Sequence, residues 1–244
     1  MPYRNNFVSL KEYKVLTIFK PMGYQQESLL LTYLKNQLRF GYSPIILFVG
    51  RQRSGKTALA LKIASEIDPA FNIQEQMTFR IEDFLKIYDK YSNKIIILDE
   101  AGVPLDPYEH ASITQRVYTH VIQTQAYKQN ILFLVLPKAS GIGKRHAQYT
   151  DALVVVRGRG KYSFYKCLHW AGDFSQKPPR LFLLEVVNGV PLPPHHIWDF
   201  YLAAGQAEYK KEIMDMQMLA IETVEKRKGI SLSHKPRIIS KAAQ

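Results

Sequence analysis

The stretch that decides the fold is PIILFVGRQRSGKT, residues 44–57. Its first part is a continuous apolar run, which is typical of a strand buried on both faces. After Thr57 the pattern changes to alanine, leucine, lysine and isoleucine at helical spacing, as far as Ile67. A strand, a loop bounded by glycines and a helix, in this order, match the phosphate-binding pattern G-x-x-x-x-G-K-[ST]. The sequence therefore predicts a nucleotide-binding loop over Gly50–Thr57.

Each position of this loop has a chemical reason. Gly50 and Gly55 let the backbone curve so that successive N–H groups point at phosphate oxygens. Lys56 can bridge the β- and γ-phosphates, and the Thr57 hydroxyl can occupy one ligand position on Mg²⁺. We therefore expect ATP and Mg²⁺ as the cofactors. The residues predicted to bind the nucleotide here are Gly50, Arg51, Gln52, Arg53, Ser54, Gly55, Lys56 and Thr57.

A second apolar run, IIIL at residues 95–98, is followed directly by Asp99 and Glu100. The carboxyl ends of parallel strands are where ligands gather in open α/β folds. In a nucleotide-binding protein, Asp99 can hold Mg²⁺ through its water shell, and Glu100 can polarise the attacking water. This second carboxylate favours hydrolysis, because a small-molecule kinase has no need to activate water.

The remaining chain alternates predicted helices and strands and then forms a meander. Helices are predicted over 81–91 and 110–128, a central strand over Ile131–Leu136, a hairpin turn at 158–160 and an antiparallel strand over Leu181–Val187. This pattern predicts a three-layer α/β domain with a mostly parallel central sheet and an antiparallel edge hairpin. The predicted organisation is a strand-and-helix lead-in at 1–42, a core at 43–190, C-terminal helices at 191–228 and a basic tail at 229–244.

The formal net charge of +12 indicates a polyanionic partner such as nucleic acid, and 12% aromatic residues would suit stacking on bases. The alternative is a generally basic protein whose lysines keep it in solution. The tail can likewise be a basic arm that contacts a nucleic-acid backbone or a solvated chain end. Apolar runs stay well short of the ~20 residues of a membrane-spanning helix. A single cysteine, Cys167, excludes an internal disulfide, so we expect a cytoplasmic protein.

The succession of motifs GRQRSGKT, IIILDE, ILFLVLP and GKRHAQYTDALVVVRGRG, at residues 50–57, 95–100, 131–137 and 143–160, resembles the additional-strand P-loop ATPases. Within that class it is most similar to the FtsK/HerA group of DNA-pumping motors, which includes packaging ATPases of archaeal and membrane-containing viruses. The resemblance implies a RecA-like P-loop fold with an extra strand between the loop strand and the Asp99 strand. It also implies a ring, usually of six subunits, in which a neighbour supplies an arginine to each ATP.

The resemblance leaves two residue assignments open. The candidate arginines are Arg145, Arg157 and Arg159, each of which can also be an ordinary surface charge. Where these motors usually carry a polar sensor, often glutamine, this chain has Pro137 followed by Lys138. The loop that begins at Lys138 follows a predicted central strand, so it is placed to reach the γ-phosphate. The alternative is a solvated surface loop.

The leading hypothesis is an ATP-driven motor on double-stranded DNA that packages a viral genome, with virion proteins as further partners, or transfers or segregates DNA. If viral, the protein would act in the host cytoplasm or on the virion. Alternatives are an ATP-controlled replication initiator or loader, a small-molecule kinase and a nucleotide switch that does not hydrolyse. The Asp99-Glu100 pair disfavours the kinase, and Glu100 disfavours the switch.

Overall fold

The computed structural model describes residues 15–17, 22–23, 28–99, 127–137, 149–168, 180–207, 214 and 218. The chain divides into two compact units, Met1–Phe200 and Tyr201–Gln244. Several predicted features fall mostly or wholly outside the described residues. They are the lead-in before residue 28, the helix over 110–128, the loop from Lys138, the C-terminal helices beyond residue 207 and the tail at 229–244. Lys128, the predicted last residue of the helix over 110–128, lies instead in a turn with Gln129, whose φ is 56°.

The first unit contains four bounded helices and nine strands among the described residues. The helices are α1 Leu29–Arg39, α2 Lys56–Ile67, α3 Ile73–Gln76 and α4 Ile81–Lys90. The strands are β1 Val15–Thr17, β2 Met22–Gly23, β3 Ile45–Val49, β4 Met77–Thr78, β5 Ile95–Leu98, β6 Ile131–Leu136, β7 Ala152–Gly158, β8 Lys161–Leu168 and β9 Arg180–Asn188. Residues 195–200 of the first unit and 201–207 of the second are helical. No helix among the described residues is long and apolar enough to cross a membrane.

The described strands form one sheet in the order β1-β9-β8-β7-β3-β6-β5-β4, with β2 also paired to β9. Strands β7, β3, β6, β5 and β4 are parallel neighbours, whereas β7, β8 and β9 are joined antiparallel. Strand β6 lies between β3 and β5, so the extra strand implied by the motif resemblance is confirmed. The predicted meander and the mostly parallel centre are confirmed as well.

The central strands are apolar on both faces because helices cover both. On one face, Phe84 and Tyr88 of α4 join a buried cluster with alternate residues of β3, β5 and β6. Helix α2 contacts β3 and β6, and none of its buried residues belongs to that cluster, which assigns it to the opposite face. The result is the predicted three-layer α/β arrangement, with a glycine-bounded loop that connects β3 to α2.

A buried carboxylate attaches α1 to the antiparallel edge of the sheet. Glu185 of β9 is fully buried and accepts hydrogen bonds from the Ser28 hydroxyl at 2.8 Å and the Tyr162 hydroxyl at 2.9 Å. It also accepts from the backbone N–H groups of Leu29 and Leu30 at 2.8 and 3.0 Å. These N–H groups begin α1 and have no partner within the helix, so Glu185 satisfies them and its charge suits the helix N-terminus.

Candidate nucleotide-binding site

The loop between β3 and α2 has the strand–loop–helix arrangement that the sequence predicts. Strand β3 ends at Val49, and α2 begins at Lys56 directly after Gly55. Gly55 has a φ of 91°, in the left-handed region that glycine adopts without the steric cost of a Cβ atom. This conformation turns the chain sharply into the helix, so that the first N–H groups of α2 face the space enclosed by the loop.

Gly50 is the position where a side chain is least acceptable. A Cβ atom at this residue would lie 2.5 Å from the carbonyl oxygen of Val156 and 2.8 Å from Oγ of Ser54. Val156 belongs to β7, the neighbour of β3, so the start of the loop is pressed against the adjacent strand. Oγ of Ser54 is itself buried without a hydrogen-bond partner among the described residues. A cradle that a Cβ would fill, with an unsatisfied polar atom inside it, fits a bound phosphate.

The side chain of Lys56 spans the loop. Its Nζ donates to the carbonyl oxygen of Arg51 at 3.0 Å, and the Ser54 N–H donates to the same oxygen at 3.1 Å. The ammonium group therefore lies against the loop backbone. A cation at this point matches the role predicted for Lys56 in holding phosphate oxygens.

Thr57 and Asp99 meet although they belong to distant parts of the chain. Oγ1 of Thr57 donates to the Asp99 carboxylate, with distances of 3.1 and 3.3 Å to its two oxygens. Asp99 is buried, and its N–H donates to the carbonyl oxygen of Thr78 at 2.9 Å, which fixes the end of β5 against β4. A hydroxyl and a carboxylate are hard oxygen donors, the kind that Mg²⁺ takes alongside water and phosphate oxygens. The donor set therefore fits Mg²⁺.

The other predicted site residues do not meet at the loop in the described part of the chain. Glu100, Lys138 and Arg145 lie outside the described residues. Arg157 is exposed near the end of β7, and its guanidinium donates to the carbonyl oxygen of Tyr162 in the same hairpin at 3.3 Å. The contact of Val156 with the loop could not be predicted from the sequence, because it depends on which strand lies beside β3.

Arg159 stands in the turn between β7 and β8. A Cβ atom built on Gly55 would lie 3.7 Å from Cα and 3.9 Å from Cγ of Arg159. The sequence suggested this arginine only as one of three candidates for acting on a neighbouring subunit. The structure places it beside the phosphate loop of its own chain.

No family model matches the sequence, and no curated protein matches it. Among solved structures, the chain is similar to the N-terminal domain of zonular occludens toxin from Neisseria meningitidis. The identity is 13%, the TM-score is 0.40, and the match covers 64% of this chain and 97% of that one.

A similar match is the genome packaging NTPase of Sulfolobus turreted icosahedral virus 2 in complex with sulfate. Here the identity is 11% and the TM-score is 0.41, over 62% of this chain and 98% of that one. The DNA-packaging ATPase of Sulfolobus turreted icosahedral virus matches with 9% identity and a TM-score of 0.37, over 57% and 96% of the two chains. These likenesses are weak and concern the fold, which the strand order and loop of this chain establish by themselves.

Proposed function

We propose that this protein binds and hydrolyses ATP with Mg²⁺ and uses the reaction to move double-stranded DNA. The observation that carries the proposal is the contact between Thr57 and the buried carboxylate of Asp99, at 3.1 Å, beside the glycine-bounded loop. A phosphate cradle and a metal-binding pair at one point are what phosphoryl transfer from ATP requires.

Each residue has a defined task in this proposal. The backbone between Gly50 and Gly55 and the side chain of Lys56 hold the phosphates. Thr57 and Asp99 hold Mg²⁺, which when bound supplies positive charge to the β- and γ-phosphates. Glu100 follows Asp99 directly in the chain, and we assign to it the removal of a proton from the attacking water.

The proposal that DNA is the partner is based on the net charge of the chain and on the succession of motifs. A net charge of +12 would favour contact with phosphates at many points, without a preference for base sequence. Packaging of a viral genome is the leading process, and transfer or segregation of DNA is the alternative within the same motor class. We further propose a ring of subunits, in which Arg145 or Arg157 of one subunit would act on the ATP of its neighbour.

The test measures ATP hydrolysis with and without double-stranded DNA, together with the mass of the assembly in solution. A motor should show hydrolysis that DNA stimulates and an assembly larger than one chain. A Lys56→Ala variant controls for contaminating activity. If a single chain hydrolyses ATP at a rate that DNA does not change, the proposed motor function is contradicted and the proposed ATPase activity stands. Transfer of phosphate from ATP to a small molecule would contradict both proposals.

The neighbour's arginine has its own test. An Arg145→Ala or Arg157→Ala variant is mixed with a Glu100→Gln variant, and hydrolysis is compared with that of each alone. Recovery on mixing is expected, because some interfaces then combine an intact Glu100 with an intact arginine from the next subunit. Activity that stays equal to the sum of the separate variants contradicts an arginine supplied in trans.

A further inference from the structure

We propose that Arg159 binds the nucleoside monophosphate part of the nucleotide held by its own chain, and so sets nucleotide affinity rather than the rate of hydrolysis. This inference rests on the proposed nucleotide site and deepens it. It assigns a residue in cis to the end of the nucleotide that lies away from the metal pair.

The turn between β7 and β8 lies against the phosphate loop. A Cβ on Gly55 would lie 3.7 Å from Cα of Arg159, which is ordinary van der Waals distance. The same hairpin also contacts the loop at Gly50, where a Cβ would lie 2.5 Å from the Val156 carbonyl oxygen. The end of β7 therefore borders the loop at both of its glycines.

Contacts with Val190 hold this turn in place. Gly160 has a φ of 66°, and its carbonyl oxygen accepts a hydrogen bond of 3.0 Å from the N–H of Val190. A Cβ on Gly160 would lie 2.7 Å from the Val190 carbonyl oxygen, so the turn is close-packed on that side. Arg159 therefore lies on a close-packed backbone between Val190 and Gly55, and its side chain is exposed.

The position of the metal pair indicates which end of the nucleotide would lie beside this turn. Strand β3 has β6 on one side and β7 on the other. The metal pair lies towards β6 and β5, because Asp99 follows β5 and contacts Thr57. Mg²⁺ held by Thr57 and Asp99 would supply positive charge to the terminal phosphates, so the γ-phosphate would lie on the Asp99 side. The α-phosphate and the nucleoside then extend towards β7 and its turn.

The chemistry of arginine suits that end. Its planar guanidinium donates paired hydrogen bonds to phosphate oxygens and stacks on aromatic rings, so it can hold an α-phosphate or a base. No hydrogen bond or ion pair of Arg159 occurs within the described part of the chain. By contrast, the guanidinium of Arg157 donates to the Tyr162 carbonyl oxygen.

The experiment compares the purified full-length protein with Arg159→Ala by calorimetric titration with ATP and with ADP. We expect the dissociation constants for ATP and ADP to rise by the same factor, about tenfold, which is the usual loss for a charge-assisted hydrogen bond. In steady-state hydrolysis, KM should rise while kcat stays within about twofold. Lys161→Ala is the matched control, because it removes the same charge from an exposed position in the same hairpin.

Three results would overturn the inference. Unchanged affinities in Arg159→Ala, with normal binding by the unaltered protein, contradict this inference alone. A loss for ATP but not ADP, with a fall in kcat, would place Arg159 at the γ-phosphate. Absence of ATP and ADP binding by the unaltered protein overturns the nucleotide site itself and this inference with it.

A mixing experiment separates action in cis from action in trans. Chains with Arg159→Ala are combined with chains carrying Lys56→Ala, and hydrolysis is measured at an ATP concentration near the KM of the unaltered protein. If Arg159 serves its own chain, neither kind of chain has a complete site, and the mixture should hydrolyse no more than the sum of its parts. Recovery above that sum would show that Arg159 acts on a neighbour, which contradicts the inference.

Discussion

Oγ1 of Thr57 lies 3.1 Å from one carboxylate oxygen of Asp99 and 3.3 Å from the other, so the start of α2 and the end of β5 meet at one point. Strand β6 separates β5 from β3 in the sheet, and the contact crosses above it. This pair is the part of the site where metal dependence can be tested directly.

Asp99→Asn should raise the Mg²⁺ concentration needed for half-maximal hydrolysis by about tenfold or more, because it removes a charge that a hard cation requires. The asparagine oxygen can still accept from Thr57, so the fold should persist. Hydrolysis is measured across a Mg²⁺ titration at saturating ATP. Asp83→Asn, at a partly exposed carboxylate that pairs with Lys86, is the control. An unchanged Mg²⁺ requirement would contradict the assignment of Asp99.

Lys56→Ala should weaken ATP binding by about 10- to 100-fold, the range expected when a charge-assisted hydrogen bond is lost. Its Nζ contacts the Arg51 carbonyl above the loop, so its removal leaves the hydrophobic core untouched. Titration with ATP gives the affinity, and thermal unfolding shows whether the fold is intact. Normal ATP affinity in a folded variant would argue against the loop as the binding site.

Gly50→Ala should disturb the loop through sterics alone. The new Cβ would lie 2.5 Å from the Val156 carbonyl oxygen, so strand β7 or the loop must move. We expect a loss of about 1–3 kcal/mol in the free energy of unfolding, together with weakened ATP binding. Gly205→Ala is the control, since a Cβ there meets nothing within 4 Å. Urea unfolding that does not distinguish the two variants would count against the close contact.

Glu185→Gln should destabilise the protein by about 1–3 kcal/mol, because an amide cannot accept all the hydrogen bonds that the buried carboxylate accepts. Its donors are the Ser28 and Tyr162 hydroxyls and the N–H groups of Leu29 and Leu30. Tyr162→Phe removes only one donor and should cost less. Urea unfolding measures the stability of both variants. Equal stability of Glu185→Gln and the unaltered protein would contradict the hydrogen bonds assigned to Glu185.

Cys167 should resist thiol reagents until the protein unfolds. Burial raises the pKa of its thiol from 9.0 to about 12, so at pH 8 only about one molecule in ten thousand carries a thiolate. Between about pH 9 and pH 12 the unfolded thiol loses its proton while the folded one keeps it, so the free energy of unfolding should fall as pH rises. Mass spectrometry after iodoacetamide treatment, with and without urea, checks the first point. Rapid alkylation of the folded protein would contradict it.

The sequence predicts most of the site because the motif is local. Gly50–Thr57 and Asp99 could be recognised because an apolar strand directly precedes each. Residues that follow neighbouring parallel strands lie at the same edge of the sheet. Helix α3, Ile73–Gln76, was not predicted, since a single turn is too short to show helical periodicity. It forms because the Asn72 side chain caps it by accepting from the Gln74 N–H.

The contacts made by the hairpin could not be predicted for a different reason. Arg159 and Gly160 are recognisable as a turn, but the proximity of Arg159 to Gly55 depends on β7 lying beside β3. The role of Glu185 depends on β9 lying beside α1. Sequence periodicity shows which face of a strand is buried and does not identify the element that covers it.

The attachment of α1 to Glu185 has a consequence for the order of folding. Ser28 and Glu185 are 157 positions apart, and β1 pairs with the same strand, β9, that carries Glu185. During translation, the beginning of the chain would therefore wait for β9 to emerge before α1 could be capped. Leu30 and Leu34 of α1, fully buried in the finished protein, would stay exposed during that interval. Such long-range closure is slow, and an amphipathic helix whose apolar face is uncovered is open to chaperones or to association with other nascent chains.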